Sequence, residues 1–343
     1  MGAHIADEID LRFFEHGGRL DAARARYPQA PEPWIDLSTG ISPWTFPAPH
    51  PPAGQSSRLP NGEGLRRLIE EARKAYKVPP LCAVVPLPGT DAGLSILPWL
   101  FREPKRAAVV SPCYSGHATA WKAAGHSVSE IGEIGRAGSS SILIAANPNN
   151  PDGRFTAHAQ LAAATASLKR HNGLLVLDEA FADADESHSL LPHAGRLDYT
   201  LVFRSLGKFY GAAGVRLGFA ITSHPVAGRL REALGAWPVS AQAIAFGEAA
   251  LADAEWAAAQ RTRLAGAASR LDGLLTEAGL RVLGGTALFR LAGYPLSQTL
   301  FSHLAGHGIL TRPFKDQSAL RFGLPGDEEF ERLREALKTA PKE

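Results

Sequence analysis

Residues 200–218 read TLVFRSLGKFYGAAGVRLG. The opening run, Thr200–Phe203, is short, apolar and bounded by polar residues, which predicts a buried strand. It leads directly into Arg204, Ser205, Lys208 and Arg216, with Gly207, Gly211, Gly214 and Gly218 between them. Taken alone, this is either a solvated basic loop or an anion cradle. In a cradle, the two arginines, the serine and exposed backbone N–H groups face a ligand, and a lysine beside it can serve as a nucleophilic amine. The amount of glycine between the charges favours the cradle, because a solvated loop has no need for close backbone approach.

The same arrangement recurs upstream. Ser141–Ala146 (SILIAA) runs into Asn147-Pro148-Asn149-Asn150-Pro151-Asp152-Gly153, and Gly173–Leu177 (GLLVL) runs into Asp178-Glu179-Ala180-Phe181. The apolar run 83–87 is followed by Pro88-Gly89-Thr90, and Ala107–Ser111 (AAVVS) reads as one more buried strand. Each feature has a plain reading: an Asn-rich turn, Asp178 as a helix cap, Thr90 or Asp91 as another cap. Each also has a functional one, because sheets of this kind bind ligands beyond the carboxyl ends of their strands. Helical stretches at 64–76, 115–124 and 156–171 alternate with the strands. Continuous apolar strands alternating with helices predict an α/β fold whose central sheet is mostly parallel and covered on both faces.

After about residue 225 the character changes. Residues 240–278 are Ala-rich and predict one or two long helices. Strands near 280–283, 286–291, 309–312 and 319–323 and helices near 296–307 and 327–339 then predict a smaller α+β domain. At the other end, Pro43, Pro47, Pro49, Pro51 and Pro52 predict irregular structure. Trp34, Ile35, Leu37, Ile41, Trp44 and Phe46 make it an ordered arm rather than a tail. The expected organisation is an N-terminal arm with part of the small domain at 1–55, a large domain at 56–230 and a small C-terminal domain at 231–343.

Of 343 residues, 36 are Lys or Arg and 34 Asp or Glu, a net charge of +2. No basic cluster suits a nucleic-acid partner, whose phosphates need a concentrated cationic face. Cys82 and Cys113 form no CxxC pair, so neither a disulfide framework nor a cysteine zinc site is expected, and no metal is expected. Met1–Asp10 carries Asp7, Glu8 and Asp10 and does not read as a signal peptide. No apolar run reaches the roughly 18 residues of a membrane span, which makes the cytoplasm the default expectation.

Together the Gly-Thr helix start, NPNNPDG, DEAF and SLGKFYGAAGVR, in this order, resemble the pyridoxal-phosphate enzymes of the aspartate-aminotransferase fold, fold type I. The resemblance covers the chain from about residue 35 to its end. It implies that Lys208 binds pyridoxal 5'-phosphate covalently and then moves protons at the substrate's α-carbon. Asp178 would pair with the pyridinium nitrogen, Asn150 with the ring hydroxyl, and Tyr114 would stack on the ring. Gly89, Thr90, Ser205 and Arg216 would hold the cofactor phosphate, and Arg321 would bind a substrate carboxylate. Phe181 and Leu59 stand where many members have tyrosine, which leaves more of the ring-hydroxyl role to Asn150 and removes a contact made across the dimer.

His16-Gly17-Gly18-Arg19-Leu20 followed by Trp34-Ile35-Asp36-Leu37-Ser38-Thr39-Gly40-Ile41-Ser42-Pro43 is similar to the threonine-phosphate decarboxylase subfamily. That resemblance implies a small phosphorylated amino acid as substrate and a role in cobalamin biosynthesis. His16 and Gly17 would meet the phosphate, Arg312 and Arg321 the anionic groups, with Asn150 beside them. Gly40 replaces an asparagine common in these relatives. The alternative is an aminotransferase acting on a phosphorylated amine such as histidinol phosphate. A homodimer is implied in either case.

Overall fold

The computed structural model describes residues 11–48, 57–314 and 318–342. The reading of Met1–Asp10, Pro49, Pro51 and Pro52, and the boundary expected at 55/56, lie outside the described residues. In chain order the strands are β1 (Ile35–Asp36), β2 (Ala83–Leu87), β3 (Arg106–Val110), β4 (Ser127–Ile131), β5 (Ile142–Ala146), β6 (Leu174–Asp178) and β7 (Thr200–Ser205). They continue with β8 (Gly218–Thr222), β9 (Arg281–Thr286), β10 (Phe289–Gly293), β11 (Ile309–Leu310), β12 (Arg312–Phe314) and β13 (Ala319–Gly323).

The chain divides into two compact units. The larger comprises Thr45–Asn150 and Arg154–Arg261. Its sheet has the order β2-β8-β7-β6-β5-β3-β4. Neighbours from β7 through β4 are parallel, while β8 is antiparallel to both β7 and β2. Val109, Ile144, Val176 and Phe203 face one packed layer with Leu94, Leu97, Trp121 and Leu230. Burial on both faces explains why β5, β6 and β7 are apolar without alternation. Two strands were not anticipated. β4 (SVSEI) pairs only with β3 and alternates polar residues, as an edge strand does. β8 (GFAIT) follows the glycine-rich stretch with no turn signal of its own.

The helix Gly62–Ala75 begins at Asn61, whose side chain accepts from the N–H of Gly64 at 2.7 Å. It packs on the helix Ala241–Ala252, where a Cβ added to Gly247 would come within 2.5 Å of Leu68. That packing keeps 241–252 in the larger unit. The boundary expected at 230/231 falls within the helix Val226–Leu234 of the same unit. The division instead comes at Arg261/Thr262, inside the helix Ala254–Glu277.

The smaller unit comprises Met1–Trp44, Pro151–Gly153 and Thr262–Glu343. Its antiparallel sheet has the order β12-β13-β10-β9. The N-terminal segment is more regular than expected, with helices Leu11–Glu15 and Leu20–Arg26. Its apolar residues Trp34, Ile35 and Leu37 are buried. β1 runs parallel to β11, with Ile35 opposite Ile309 and Asp36 opposite Leu310. The Phe13 and Phe301 rings lie 5.3 Å apart. The arm is thus an integral part of this unit's core.

Candidate active site

The register of β8 assembles one corner of the site. Gly218 is opposite both Leu87 of β2 and Ser205 of β7. Residues just past Leu87, the end of β7 and the residues before Gly218 are thereby drawn to one place. Gly89, at φ +85°, lies so close to Arg216 that an added Cβ would sit 2.6 Å from Nη2. A Cβ on Gly218 would sit 3.0 Å from the Thr90 nitrogen. Arg216 adopts left-handed backbone and donates through Nη1 to the Ala213 carbonyl at 3.3 Å. Ser205 caps the single turn Leu206–Phe209, its Oγ accepting from Gly207 N–H at 3.3 Å. A guanidinium, a hydroxyl and backbone N–H groups around glycines with no space for a side chain make an anion cradle.

Arg204, read from the sequence as part of that cradle, is not in it. Alternation along β7 turns it away from Phe203 into the interior, where it is 1% exposed. Its Nη1 donates to Glu179 Oε2 and Ser189 Oγ, both at 3.1 Å, its Nη2 donates to Asp183, and its guanidinium covers the Tyr76 ring. Burial pushes the carboxyls of Glu179 and Asp183 up, against the pull of Arg204.

Asp178 is the last residue of β6. It is buried, with Oδ1 accepting from Ala180 N–H at 3.0 Å and Oδ2 lying 3.2 Å from His117 Nε2. The imidazole is close enough to feel the carboxylate but is not aligned for a hydrogen bond, and His117 Nδ1 has no hydrogen-bond partner. His117 lies in the helix Gly116–Ala123, with the Tyr114 ring edge-on to it at 5.7 Å. The Tyr114 hydroxyl donates to Asp91 Oδ1 at 3.0 Å, which ties this group to the Thr90–Ile96 helix. Gly116 leaves space for the Tyr114 ring, since an added Cβ would be 2.3 Å from it. The sequence reading missed His117. Its signal was a lone polar residue on the inner side of a short amphipathic stretch, three residues after Tyr114.

The asparagine turn divides its labour. Asn147 donates to the His188 carbonyl at 3.0 Å and accepts from Thr156 N–H at 2.9 Å. Asn149 donates to the Pro112 carbonyl at 2.9 Å. Both are buried and shape the turn, whereas Asn150 is half-buried. Lys208, on the single turn after Ser205, is also half-buried, with Nζ 5.6 Å from the Phe181 ring centroid.

The remaining candidates gather in the smaller unit. Arg312 on β12 is directly opposite Arg321 on β13, so both side chains leave the same face. They are 9% and 3% exposed. Arg312 Nη2 donates to the Glu15 carbonyl at 2.9 Å and Arg321 Nη2 to the Ser38 carbonyl at 2.7 Å. Burial, then the charge of Arg312, push the Arg321 guanidinium down to about 9, with Asp36 pulling the other way. Two buried like charges side by side favour an anion. His16 and Gly17 follow Glu15 directly. A Cβ on Gly17 would sit 2.3 Å from the Ser38 oxygen, so the arm passes against that carbonyl.

The family profile for aminotransferase class I and II matches residues 53–337. The threonine-phosphate decarboxylase of Pseudomonas aeruginosa is 43% identical over 317 residues, 92% of this chain and 94% of that one. The threonine-phosphate decarboxylase of a Sinorhizobium species is 38% identical over 331 residues, 94% of this chain and 97% of that one. Among solved structures, the histidinol-phosphate aminotransferase of Sinorhizobium meliloti in complex with pyridoxal-5'-phosphate superposes with a TM-score of 0.79. It covers 93% of this chain and 94% of its own at 19% identity, a likeness of fold.

Proposed function

The chain belongs to the aminotransferase class I and II family, and from that premise we propose that it is a pyridoxal-phosphate-dependent decarboxylase. Its substrate is L-threonine O-3-phosphate and its products are CO2 and (R)-1-amino-2-propanol O-2-phosphate, which the resemblance assigns to cobalamin biosynthesis. The observation that carries this reading is the buried pair Arg312 and Arg321. A phosphorylated amino acid has two anionic groups to offer such a pair. The two decarboxylase-named relatives, at 43% and 38% identity, point the same way.

The larger unit's residues fit the cofactor. The cradle of Gly89, Thr90, Ser205 and Arg216 suits a phosphate, and the glycines keep it clear. Asp178, a buried carboxylate whose neighbour is the imidazole of His117, suits a protonated ring nitrogen. Asn150 would take the ring hydroxyl, Tyr114 the ring face, and Lys208 the covalent attachment. When bound, the cofactor supplies an electron sink for the bond broken at the substrate's α-carbon.

Arg321 binds the carboxylate in a fork and Arg312 binds an anionic group beside it, with His16 and Gly17 at the phosphate. Whether carboxylate or hydrogen leaves depends on which bond the arginines orient for cleavage. Lys208 then delivers a proton to the α-carbon in place of the lost carboxylate. We read the enzyme as a homodimer. Trp99 and Trp237, 65% and 58% exposed, are apolar surface of the kind a second copy covers. No helix of the described residues is long and apolar enough to cross a membrane. The reading goes with a cytoplasmic enzyme.

The test is purified protein with pyridoxal phosphate and L-threonine O-3-phosphate, without a keto acid, and Lys208→Ala as the blank. CO2 and aminopropanol phosphate in equal amounts, both absent from the blank, are expected. Absence of CO2 together with turnover of histidinol phosphate once 2-oxoglutarate is added would mean an aminotransferase.

A further inference from the structure

Ser38 is 2% exposed and uses every polar atom it has. Its N–H and its hydroxyl both donate to Asp36 Oδ1, at 2.9 and 2.5 Å. Its Oγ accepts from Gly18 N–H at 2.7 Å, and its carbonyl accepts from Arg321 Nη2 at 2.7 Å. Gly17 lies against that same carbonyl, with no room for a side chain. On the far side, the Glu15 carbonyl is held by Arg312. The segment His16–Gly18 is therefore pinned at both ends, by Arg312 before it and by Ser38 behind it.

We propose that Ser38 is a positioning residue that fixes His16–Gly18 against the buried arginine pair and so sets selectivity for a substrate carrying a second, phosphate anion. The proposal rests on the decarboxylase reading and deepens it. Its two ties separate chemically. The backbone carbonyl holds Arg321 whatever the side chain, whereas the hydroxyl holds Gly18. Ser38→Ala leaves the arginine's contact in place and releases the arm, with Gly18 N–H and Asp36 losing a buried partner. A hydrogen bond of this kind is worth about 1.4 kcal/mol, or about tenfold in affinity. Gly17→Ala is the contrasting perturbation, because its methyl group meets the Ser38 carbonyl that holds Arg321.

The experiment titrates the cofactor-loaded enzyme with L-threonine O-3-phosphate and with L-threonine, following the cofactor absorbance, and measures turnover in parallel. Ser38→Ala should weaken binding of the phosphorylated ligand about tenfold and leave binding of L-threonine within about twofold. The loss should appear in KM, with kcat changed by less than about threefold. Gly17→Ala, which presses on the carbonyl that holds Arg321, should instead weaken both ligands. Equal weakening of both ligands by Ser38→Ala, or unchanged affinity for both, would overturn the proposal. A wild-type enzyme that does not prefer L-threonine O-3-phosphate would instead refute the functional reading, before any variant is made.

Discussion

Replacing Arg204 by methionine leaves Glu179 and Asp183, 0% and 2% exposed, without the guanidinium they share. Removing one partner of a buried ion pair costs about 3–5 kcal/mol, because the remaining charge has neither water nor a counter-ion. At about 2.1 cal/mol/K per residue, unfolding 343 residues carries about 0.7 kcal/mol/K, so a loss of about 4 kcal/mol lowers Tm by about 6 °C. The loss depends on pH. Burial already raises both carboxyls above their unfolded value against the pull of Arg204, and the variant removes that pull. Groups with raised folded pKa values contribute stability below the unfolded carboxylate range, and lose it as pH rises through the folded value. The variant's deficit should therefore be larger at pH 8 than at pH 5.5, where a carboxyl takes up a proton. The assay is calorimetric melting of the cofactor-loaded protein at both pH values. Lys338→Met, which breaks an exposed pair with Glu335, serves as a control and should leave Tm within the scatter of replicates. A shift below about 1 °C at pH 8, or the same shift at both pH values, would refute the claim that this cluster is a coupled, buried charge network.

Gly89→Ala should raise the cofactor's dissociation constant about tenfold or more, since the methyl group displaces the Arg216 guanidinium and φ +85° strains the new residue. Equilibrium dialysis against pyridoxal phosphate measures it, and unchanged affinity would remove Arg216 from the cradle. Arg321→Lys should lower kcat/KM for L-threonine O-3-phosphate about 100-fold, because an ammonium does not reproduce the fork with a carboxylate. Lys208→Ala should reduce turnover by at least about 10³-fold while the far-ultraviolet dichroism stays that of the wild type.

Much of the larger unit was legible in the chain. β3, β5, β6 and β7 are continuous apolar runs, because a strand covered on both faces has no polar side to alternate with. The residues at their carboxyl ends were legible too, since Asp178, the asparagine turn and Ser205-x-x-Lys208 close or directly follow the strands. β4 and β8 were not. One is an edge strand with a polar face, and the other is five residues long behind a run of glycines. The N-terminal arm was read as irregular from its prolines, although its apolar residues already argued for burial. Arg204 was misread from its neighbours, because Glu179 and Asp183 lie 25 and 21 residues away.

Residue order alone settles which chemical groups exist, how they follow one another, and on which strand ends they fall. Strand pattern, turn residues and glycine are properties of windows a few residues long. Which groups meet depends on long-range pairing in the folded chain. The cradle exists because Gly218 pairs with Leu87 on one side and Ser205 on the other. The arginine pair exists because Arg312 is opposite Arg321, and the arm is pinned because Ser38 hydrogen-bonds a residue 20 positions earlier. His117 reaches Asp178 across 61 residues of chain for the same reason. Such pairings follow from strand register and side-chain packing between distant segments, which no local pattern encodes.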